Sequence, residues 1–392
     1  MRVAFHTLGC KVNQFETQAL MLLFREAGHT VVPFSEAADA YLLNTCTVTA
    51  VSDKKSRQML RRLRREHPDA VVVACGCFSQ THPEELSALG VCDVIAGSGD
   101  RKALLGMVEQ AVLKRTPQMK VDQALSRTAF ETLPVGGGEH TRAMLKVEDG
   151  CENFCTYCII PYARGRIRSL PLPDAVEQAK ELAEAGYREI VITGIEISSY
   201  GSDLTPKTNL ETLIFEIFRA VPDIRIRLGS LEPSTITEAF CNTLAGCNNL
   251  CPQFHLSLQS GCDATLARMR RKYDTARFFE SVACLRKTFP GCAITTDLIC
   301  GFPGETEAEF EQTLETMRTV RFSAMHIFPY SKRAGTPAAR MQGQVLRVVK
   351  EDRARRAGFL AKELSNEYLQ SLVGQTVSVL FEEEENGIWR GH

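Results

Sequence analysis

Apolar and polar positions alternate in two rhythms along this 392-residue chain. Over residues 1–115, short apolar runs ("RVAFHTL", "AYLLNT", "AVVVAC", "CDVIAG") alternate with longer segments ("NQFETQALMLLFREAG", "KKSRQMLRRLRRE", "DRKALLGMVEQAV"). The runs predict buried strands. The longer segments repeat apolar residues every three or four positions, which predicts amphipathic helices. Gly28 and Gly90 stand where helices should stop. Strands alternating with helices predict an open, doubly wound α/β domain. The periodicity lapses over 116–141, where Pro134 and Gly136–Gly138 mark a linker.

From residue 142 the alternation resumes with a longer period. Strands are expected at 143–147, 189–193, 224–228, 253–257, 292–298 and 323–328. Helices are expected at 172–186, 208–219, 234–245, 274–288 and 306–318. Six β/α units over 142–343 predict a partial barrel, with its active site at the C-terminal ends of the strands. A charged helical connection follows over 344–372. In 373–392, Val377, Val379 and Phe381 alternate and Asn386-Gly387 supplies a turn, so a hairpin opening a small β domain is expected. The chain stops at His392 before such a domain closes, so it is expected to be a fragment or a C-terminally trimmed chain.

Composition narrows the class. The chain is 44% hydrophobic and 24% charged, the balance of a soluble globular protein. No apolar run approaches the roughly 20 residues of a membrane span, and "MRVAFHTLGC" has no signal-peptide pattern. A cytoplasmic chain with reduced thiols is expected, with no membrane partner. The net charge of −1 neither demands nor excludes a nucleic-acid partner. The 15 cysteines are an odd number, so clustered subsets point to metal or catalysis rather than to a disulfide framework.

"CENFCTYC" places Cys151, Cys155 and Cys158 in the loop after the first barrel strand, at the catalytic rim. Thiolates favour zinc or iron–sulfur clusters. A structural zinc site is closed by four ligands, and the next cysteine is Cys241. A cubane on three cysteines instead keeps one iron free for a small molecule. This C-x3-C-x2-C spacing resembles the radical S-adenosylmethionine (SAM) superfamily. The resemblance implies that SAM chelates the free iron and is cleaved to a 5′-deoxyadenosyl radical. The family has an aromatic residue before the last cysteine, here Tyr157. The loops after the later strands carry the remaining SAM-contact candidates: Gly194, Glu196, Glu232, Ser257, Gln259 and Asp297.

The first domain carries Cys10, Cys46, Cys75 and Cys77, each at or just past a predicted strand. In an open α/β sheet those ends converge where ligands bind. Three such thiolates could hold a second cluster, or they could be separate core cysteines. All these motifs together resemble the methylthiotransferase family of radical-SAM enzymes over nearly the whole chain. The family carries cluster cysteines in G-C near the N-terminus, in N-T-C and in G-C-x-x-Q, which here are Cys10, Cys46 and Cys77. Cys75 falls two residues early and is left out. The resemblance implies two [4Fe-4S] clusters, SAM, and a C-terminal TRAM domain of which 373–392 is the start. It also implies an electron donor such as flavodoxin or ferredoxin and leaves the sulfur source open. "GCKVNQFET" looks most like the branch that modifies C2 of threonylcarbamoyladenosine beside the tRNA anticodon. The alternatives are an isopentenyladenosine tRNA or a ribosomal-protein aspartate as target. From another class, a non-catalytic metal-containing RNA-binding protein is the competitor.

A tRNA partner needs cations and stacking groups. Arg164, Arg166 and Arg168 in "RGRIRS", and Arg271 and Tyr273 in "RMRRKY", are the candidates nearest the expected site. Lys54, Arg57, Arg61 and Arg65 form a helical stripe that suits either phosphates or solvent. "EEEEN" is expected to face solvent. Cys92, Cys241, Cys247, Cys251, Cys262, Cys284, Cys292 and Cys300 are expected in the core. His255 suits a structural role or a SAM contact equally.

Overall fold

The structure is a computed structural model that describes residues 1–138 and 141–392. Glu139 and His140, at the end of the expected linker, lie outside the described residues.

The N-terminal domain runs β1 (Arg2–Thr7), α1 (Lys11–Glu26), β2 (Thr30–Val32), β3 (Ala40–Thr45), α2 (Ala50–Glu66), β4 (Val71–Gly76), α3 (Cys77–Thr81), α4 (Pro83–Ala88), β5 (Val94–Ala96), α5 (Arg101–Lys114) and β6 (Gln118–Lys120). Its six parallel strands lie in the order β2-β1-β3-β4-β5-β6. Alternate residues of the central strands face opposite helical layers. Leu42, Val71, Val73 and Cys75 pack against Leu20, Phe24, Leu104 and Val108 of α1 and α5. Tyr41, Leu43, Val72 and Ala74 pack against Leu60, Leu63 and Leu86 of α2 and α4. Burial on both faces is why these strands read as continuous apolar runs. The strand order switches direction between β1 and β3, which opens a crevice at their C-terminal ends. The edge strands β2 and β6 are only three residues each, and the sheet continues past the boundary expected at 115.

The second domain begins with β7 (Arg142–Lys146), β8 (Glu148–Asp149), α6 (Ile160–Arg164), β9 (Arg168–Ser169) and α7 (Leu172–Glu184). It continues through β10 (Glu189–Thr193), α8 (Leu210–Ala220), β11 (Arg225–Leu228), β12 (Ser230–Leu231), α9 (Glu238–Ala245) and β13 (Gln253–Leu256). It ends with α10 (Asp263–Arg268), α11 (Thr275–Thr288), β14 (Ala293–Cys300), α12 (Glu307–Val320) and β15 (Ala324–Pro329). Two parallel sheets, β11-β10-β7 and β12-β13-β14-β15, make six barrel positions. The third position is broken at Gly229, whose N–H still donates to Ile192 O at 2.9 Å. The six expected strands are all present. The helix expected at 234–245 starts later, because Pro233–Thr235 forms a 3-10 turn and Thr237 caps the N–H of Phe240 at 3.1 Å.

A long helix, α13 (Arg347–Ser371), packs against α12 and β15. It is tied there by Arg353, which binds Glu305 at 2.9 Å and Glu307 at 3.1 Å. The chain ends in an antiparallel hairpin, β16 (Phe381–Glu385) and β17 (Ile388–Gly391). Asn386 (φ 55°) and Gly387 (φ 77°) form the two-residue turn that "NG" suggests. One expectation is corrected here. Within "EEEEN", Glu382 does not face open solvent but binds Arg142 of β7 at 2.6 Å. No helix among the described residues is long and apolar enough to cross a membrane.

The N-terminal domain covers the catalytic end of the barrel. α3 packs on α6, and Ser98 donates to Ala163 O at 2.5 Å. On the far side, Arg333 binds Asp53 at 2.5 Å.

Candidate functional site

Cys10 caps the start of α1 after β1, Cys46 follows β3, and Cys77 opens α3 after β4. The three thiols therefore occupy neighbouring strand ends at the β1/β3 crevice. Gly9 (φ +113°) makes that approach possible, since a Cβ there would stand 2.9 Å from the Cys46 Cβ and 3.0 Å from its Sγ. Burial pushes the Cys46 thiol up and the Cys77 thiol up to about 12, Arg164 opposing the rise at Cys77. Arg164 is fully buried and its Nε donates to Cys77 Sγ at 3.1 Å. Cys75 points the other way, into the core between sheet and helices, with its thiol directed at Leu43 O.

Cys151, Cys155 and Cys158 lie between β8 and α6. They line a cavity of about 140 Å³ together with Tyr157, Glu196, Glu232, Ser257 and Arg271. Asn153 N–H donates to Cys151 Sγ at 3.4 Å, and Arg271 Nη1 donates to Cys155 Sγ at 3.1 Å. Arg271 also binds Glu232 at 2.5 Å. Burial pushes the Glu196 carboxyl up to about 7, reinforced by Glu232. Asn153 Nδ2 donates to Glu196 at 2.9 Å. Burial likewise raises the Glu148 carboxyl well above its usual range; it accepts the Glu196 N–H at 2.6 Å and fixes that loop.

An adjoining cavity of about 200 Å³ is lined by Val48 and Thr49 of the N-terminal domain and by Gln259, Asp297, Ile299 and Tyr330 of the barrel. Tyr157 lines both cavities and divides them. The sequence candidates thus fall into place around one double cavity, with one exception. Gly194 lines neither cavity: a Cβ there would meet Glu148 Oε2 at 2.8 Å and Ile197 Cγ2 at 2.9 Å, so close packing against β8 and its own loop requires the glycine.

Four RNA-contact expectations are corrected by burial. Arg164 is enclosed by Glu16, Asn13 and Cys77. Arg168 is 3% exposed and faces Asp149 at 3.4 Å. Arg271 and Tyr273 belong to the cluster wall, the Tyr273 hydroxyl donating to Leu258 O at 2.8 Å. Arg166 stays at the surface with Glu152, as do Lys54, Arg61 and Arg65 of the basic stripe. His255 bonds Thr295 at 3.0 Å and approaches Asp297 at 3.5 Å. Cys241, Cys247, Cys251, Cys262, Cys292 and Cys300 are core residues, while Cys92 and Cys284 are only partly buried against it.

Sequence reasoning missed the charge cluster that joins the domains. Glu16 of α1 is fully buried and binds Arg101 at 2.6 Å, Lys146 at 2.9 Å and Arg164. Burial alone would push its carboxyl up, but those three cations hold it at about 2. Lys146 also binds Asp149 at 2.8 Å. The signal was Glu16 standing among the apolar Val12, Phe15, Ala19 and Leu20 of α1.

Soft thiol donors in two separate triplets, each with an arginine N–H on one sulfur, fit iron–sulfur clusters better than a hard-metal or closed zinc site. Among the described residues, no three metal-ligating side chains converge as a single ion requires. A cubane binds each thiolate through a different iron, so its ligands surround a body rather than a point.

Comparison with known proteins agrees with this layout. Residues 2–97 match the "Uncharacterized protein family UPF0004", and residues 145–317 match the Radical SAM superfamily. Among solved structures, the radical SAM methyltransferase TsrM of Kitasatospora setae superposes with a TM-score of 0.60 at 16% identity, covering 86% of this chain and 76% of that one. That likeness shows the shared fold. A tRNA-2-methylthio-N(6)-dimethylallyladenosine synthase of Bacillus pumilus is 33% identical over 96% of this chain and 75% of its own. The threonylcarbamoyladenosine tRNA methylthiotransferase of Aquifex aeolicus is 37% identical over 98% of this chain and 93% of its own. The enzyme of the same name from Bacillus subtilis is 44% identical over 97% of this chain and 85% of its own. The chain therefore belongs to the tRNA methylthiotransferase family of radical-SAM enzymes.

Proposed function

We propose that this enzyme places a methylthio group on C2 of N6-threonylcarbamoyladenosine beside the anticodon of a tRNA. The observation that carries the reading is the pair of cysteine triplets, one in each domain, at an interface where Arg164 of the barrel donates to Cys77 of the N-terminal domain. The higher identity to relatives named for threonylcarbamoyladenosine than to the one named for dimethylallyladenosine supports the choice of nucleoside.

Cys10, Cys46 and Cys77 would hold one [4Fe-4S] cluster, and Cys151, Cys155 and Cys158 the other. When bound, the clusters and SAM supply a radical that takes hydrogen from an unactivated aromatic carbon, and the sulfur that replaces it. The chain's residues bind and orient. Glu196, Glu232 and Ser257 line the cavity beside the cysteines and suit the ammonium and carboxylate end of SAM. Gln259 and Asp297, beyond Tyr157, suit its adenosine end. Arg271, its side chain buried, sets Cys155 and Glu232 together, and half-buried Tyr157 with buried Tyr273 would keep water from the sulfur side. Surface Arg166 and the basic stripe on α2 would contact tRNA phosphates. A flavodoxin- or ferredoxin-type protein would supply electrons. Fifteen cysteines, all free, suit the cytoplasm.

The test is mass spectrometry of tRNA nucleosides from cells with and without the gene. Loss of 2-methylthio-threonylcarbamoyladenosine is expected. Loss of the isopentenyl counterpart instead would move the enzyme to the neighbouring branch.

A further inference from the structure

We propose that the cavity between α1 and the inner wall of the barrel receives the N6 substituent of the target nucleoside, with the Lys11 ammonium as the anchor for its carboxylate. This rests on the threonylcarbamoyladenosine reading above.

The cavity encloses about 660 Å³. Lys11, Gln14 and Gln18 line it from one face of α1, and Arg142, Met144 and Val191 line it from β7 and β10. Arg142 and Met144 point into the barrel, because the alternate residues Ala143 and Leu145 pack outward in the helical core. Lys11 directly follows Cys10, so the cavity begins beside the proposed first cluster. A nucleoside whose C2 receives sulfur from that cluster must bring its substituent near this place.

Charge identifies what the substituent should carry. Arg142 binds Glu382 at 2.6 Å, Arg390 binds Glu385 at 3.0 Å, and His392 contacts Glu382 at 2.5 Å. Behind them Glu189 is shared by Arg225 at 3.1 Å and Arg227 at 2.6 Å. Glu382 and Glu383 also line the cavity, the first of them bound by Arg142, but among the described residues no carboxylate is within ion-pair distance of Lys11. A threonylcarbamoyl group keeps a free carboxylate, a hydroxyl and a carbamoyl that can bond the amides of Gln14 and Gln18. A dimethylallyl group is apolar and would leave Lys11 unanswered. A charge-assisted bond from the Lys11 ammonium to the carboxylate favours the ligand that can make it over one that cannot.

The test is binding of anticodon stem-loop RNAs to the full-length holoenzyme with both clusters in place, read by fluorescence anisotropy at fixed salt. One RNA carries threonylcarbamoyladenosine, a second carries the same group with its carboxylate converted to a carboxamide, and a third carries dimethylallyladenosine. The wild type should prefer the carboxylate over the carboxamide by on the order of tenfold or more. Lys11→Met should bring that ratio to about one, and Lys11→Arg should keep it. Phosphate contacts are common to all three RNAs and drop out of the ratio. If Lys11→Met loses iron, Lys11→Gln reads the same ratio. A wild type without preference, or a preference that survives removal of the ammonium, overturns the assignment. Failure of the methylthiotransferase reading looks different: the holoenzyme would transfer no methylthio group to the carboxylate-bearing RNA, whatever its affinity.

Discussion

Arg164 Nε donates to Cys77 Sγ across 3.1 Å, so a side chain of the barrel domain holds a sulfur of the N-terminal domain. The rest of that guanidinium is occupied by Glu16 and Asn13, and none of it reaches solvent. A cation bonded to a cluster sulfur favours the more negative, reduced state and raises the potential. Arg164→Lys keeps a charge for Glu16 but loses the planar fork. Its first cluster should therefore reduce at a more negative potential, by on the order of tens of millivolts, where about 59 mV is tenfold for one electron. Redox titration followed by electron paramagnetic resonance reads this; an unmoved potential with intact iron content would show that the contact does not tune the cluster.

The two triplets should be separable. Changing Cys151, Cys155 and Cys158 together to Ala should end formation of 5′-deoxyadenosine while about one cubane of iron remains after anaerobic reconstitution. The Cys10, Cys46, Cys77 triple variant should still cleave SAM and transfer no methylthio group. A first triple variant that still makes 5′-deoxyadenosine would sink the assignment of the radical site.

Cys75 and Cys77 are two residues apart and face different surroundings. Cys75 lies in the core with Leu42 and Leu104. Cys75→Ala should cost about 1 kcal/mol of stability, the scale of a small buried group, and leave iron content intact. Cys77→Ala should lose the first cluster. Iron analysis of both variants decides, and the reverse pattern would exchange their roles.

Much of this was legible because periodicity and spacing are local. Strands buried on both faces, such as Val71–Gly76, announce themselves as apolar runs, and C-x3-C-x2-C is a spacing within one loop. What stayed hidden depends on distant partners. Arg164, Arg168 and Arg271 look like surface cations in a linear reading. Their carboxylates and thiols come from elements as far away as α1, and only the fold supplies them. Edge strands β2 and β6 are too short to show a rhythm. Gly194 is fixed by the neighbouring Glu148, which no local pattern reveals.

Glu196 gives a pH signature. Burial, reinforced by Glu232, raises its carboxyl from 4.5 to about 7. The folded state thus holds a proton that the unfolded chain releases across that window. Glu196's contribution to stability is present at low pH and declines as pH rises from 4.5 to about 7. An ammonium ligand requires the carboxylate, so SAM affinity should strengthen as pH rises through about 7. Equilibrium dialysis of SAM against the holoenzyme measures this, and Glu196→Gln should flatten the profile. A wild-type profile that is already flat would place the SAM ammonium elsewhere.

The domains should come apart first at Arg333. Its Nη1 binds Asp53 at 2.5 Å and its Nη2 donates to Thr47 at 2.5 Å, while Thr47 donates to Asp53 at 2.8 Å. All three are buried, and Thr47 follows Cys46 directly. Removing one partner of a buried ion pair leaves the other charged and desolvated, at a cost of about 3–5 kcal/mol. Arg333→Ala should therefore lower the melting temperature and raise hydrogen exchange over 46–53, with Glu16 and Arg164 still joining the domains on the other side. The double variant Arg333→Met with Asp53→Leu removes both charges and should recover much of the lost stability. It should not recover methylthio transfer if the pair also holds the Cys46 loop in register with the barrel. Full recovery of transfer along with stability would mean that the pair only fastens the domains. Unchanged exchange over 46–53 in Arg333→Ala would mean that it does not fasten them at all.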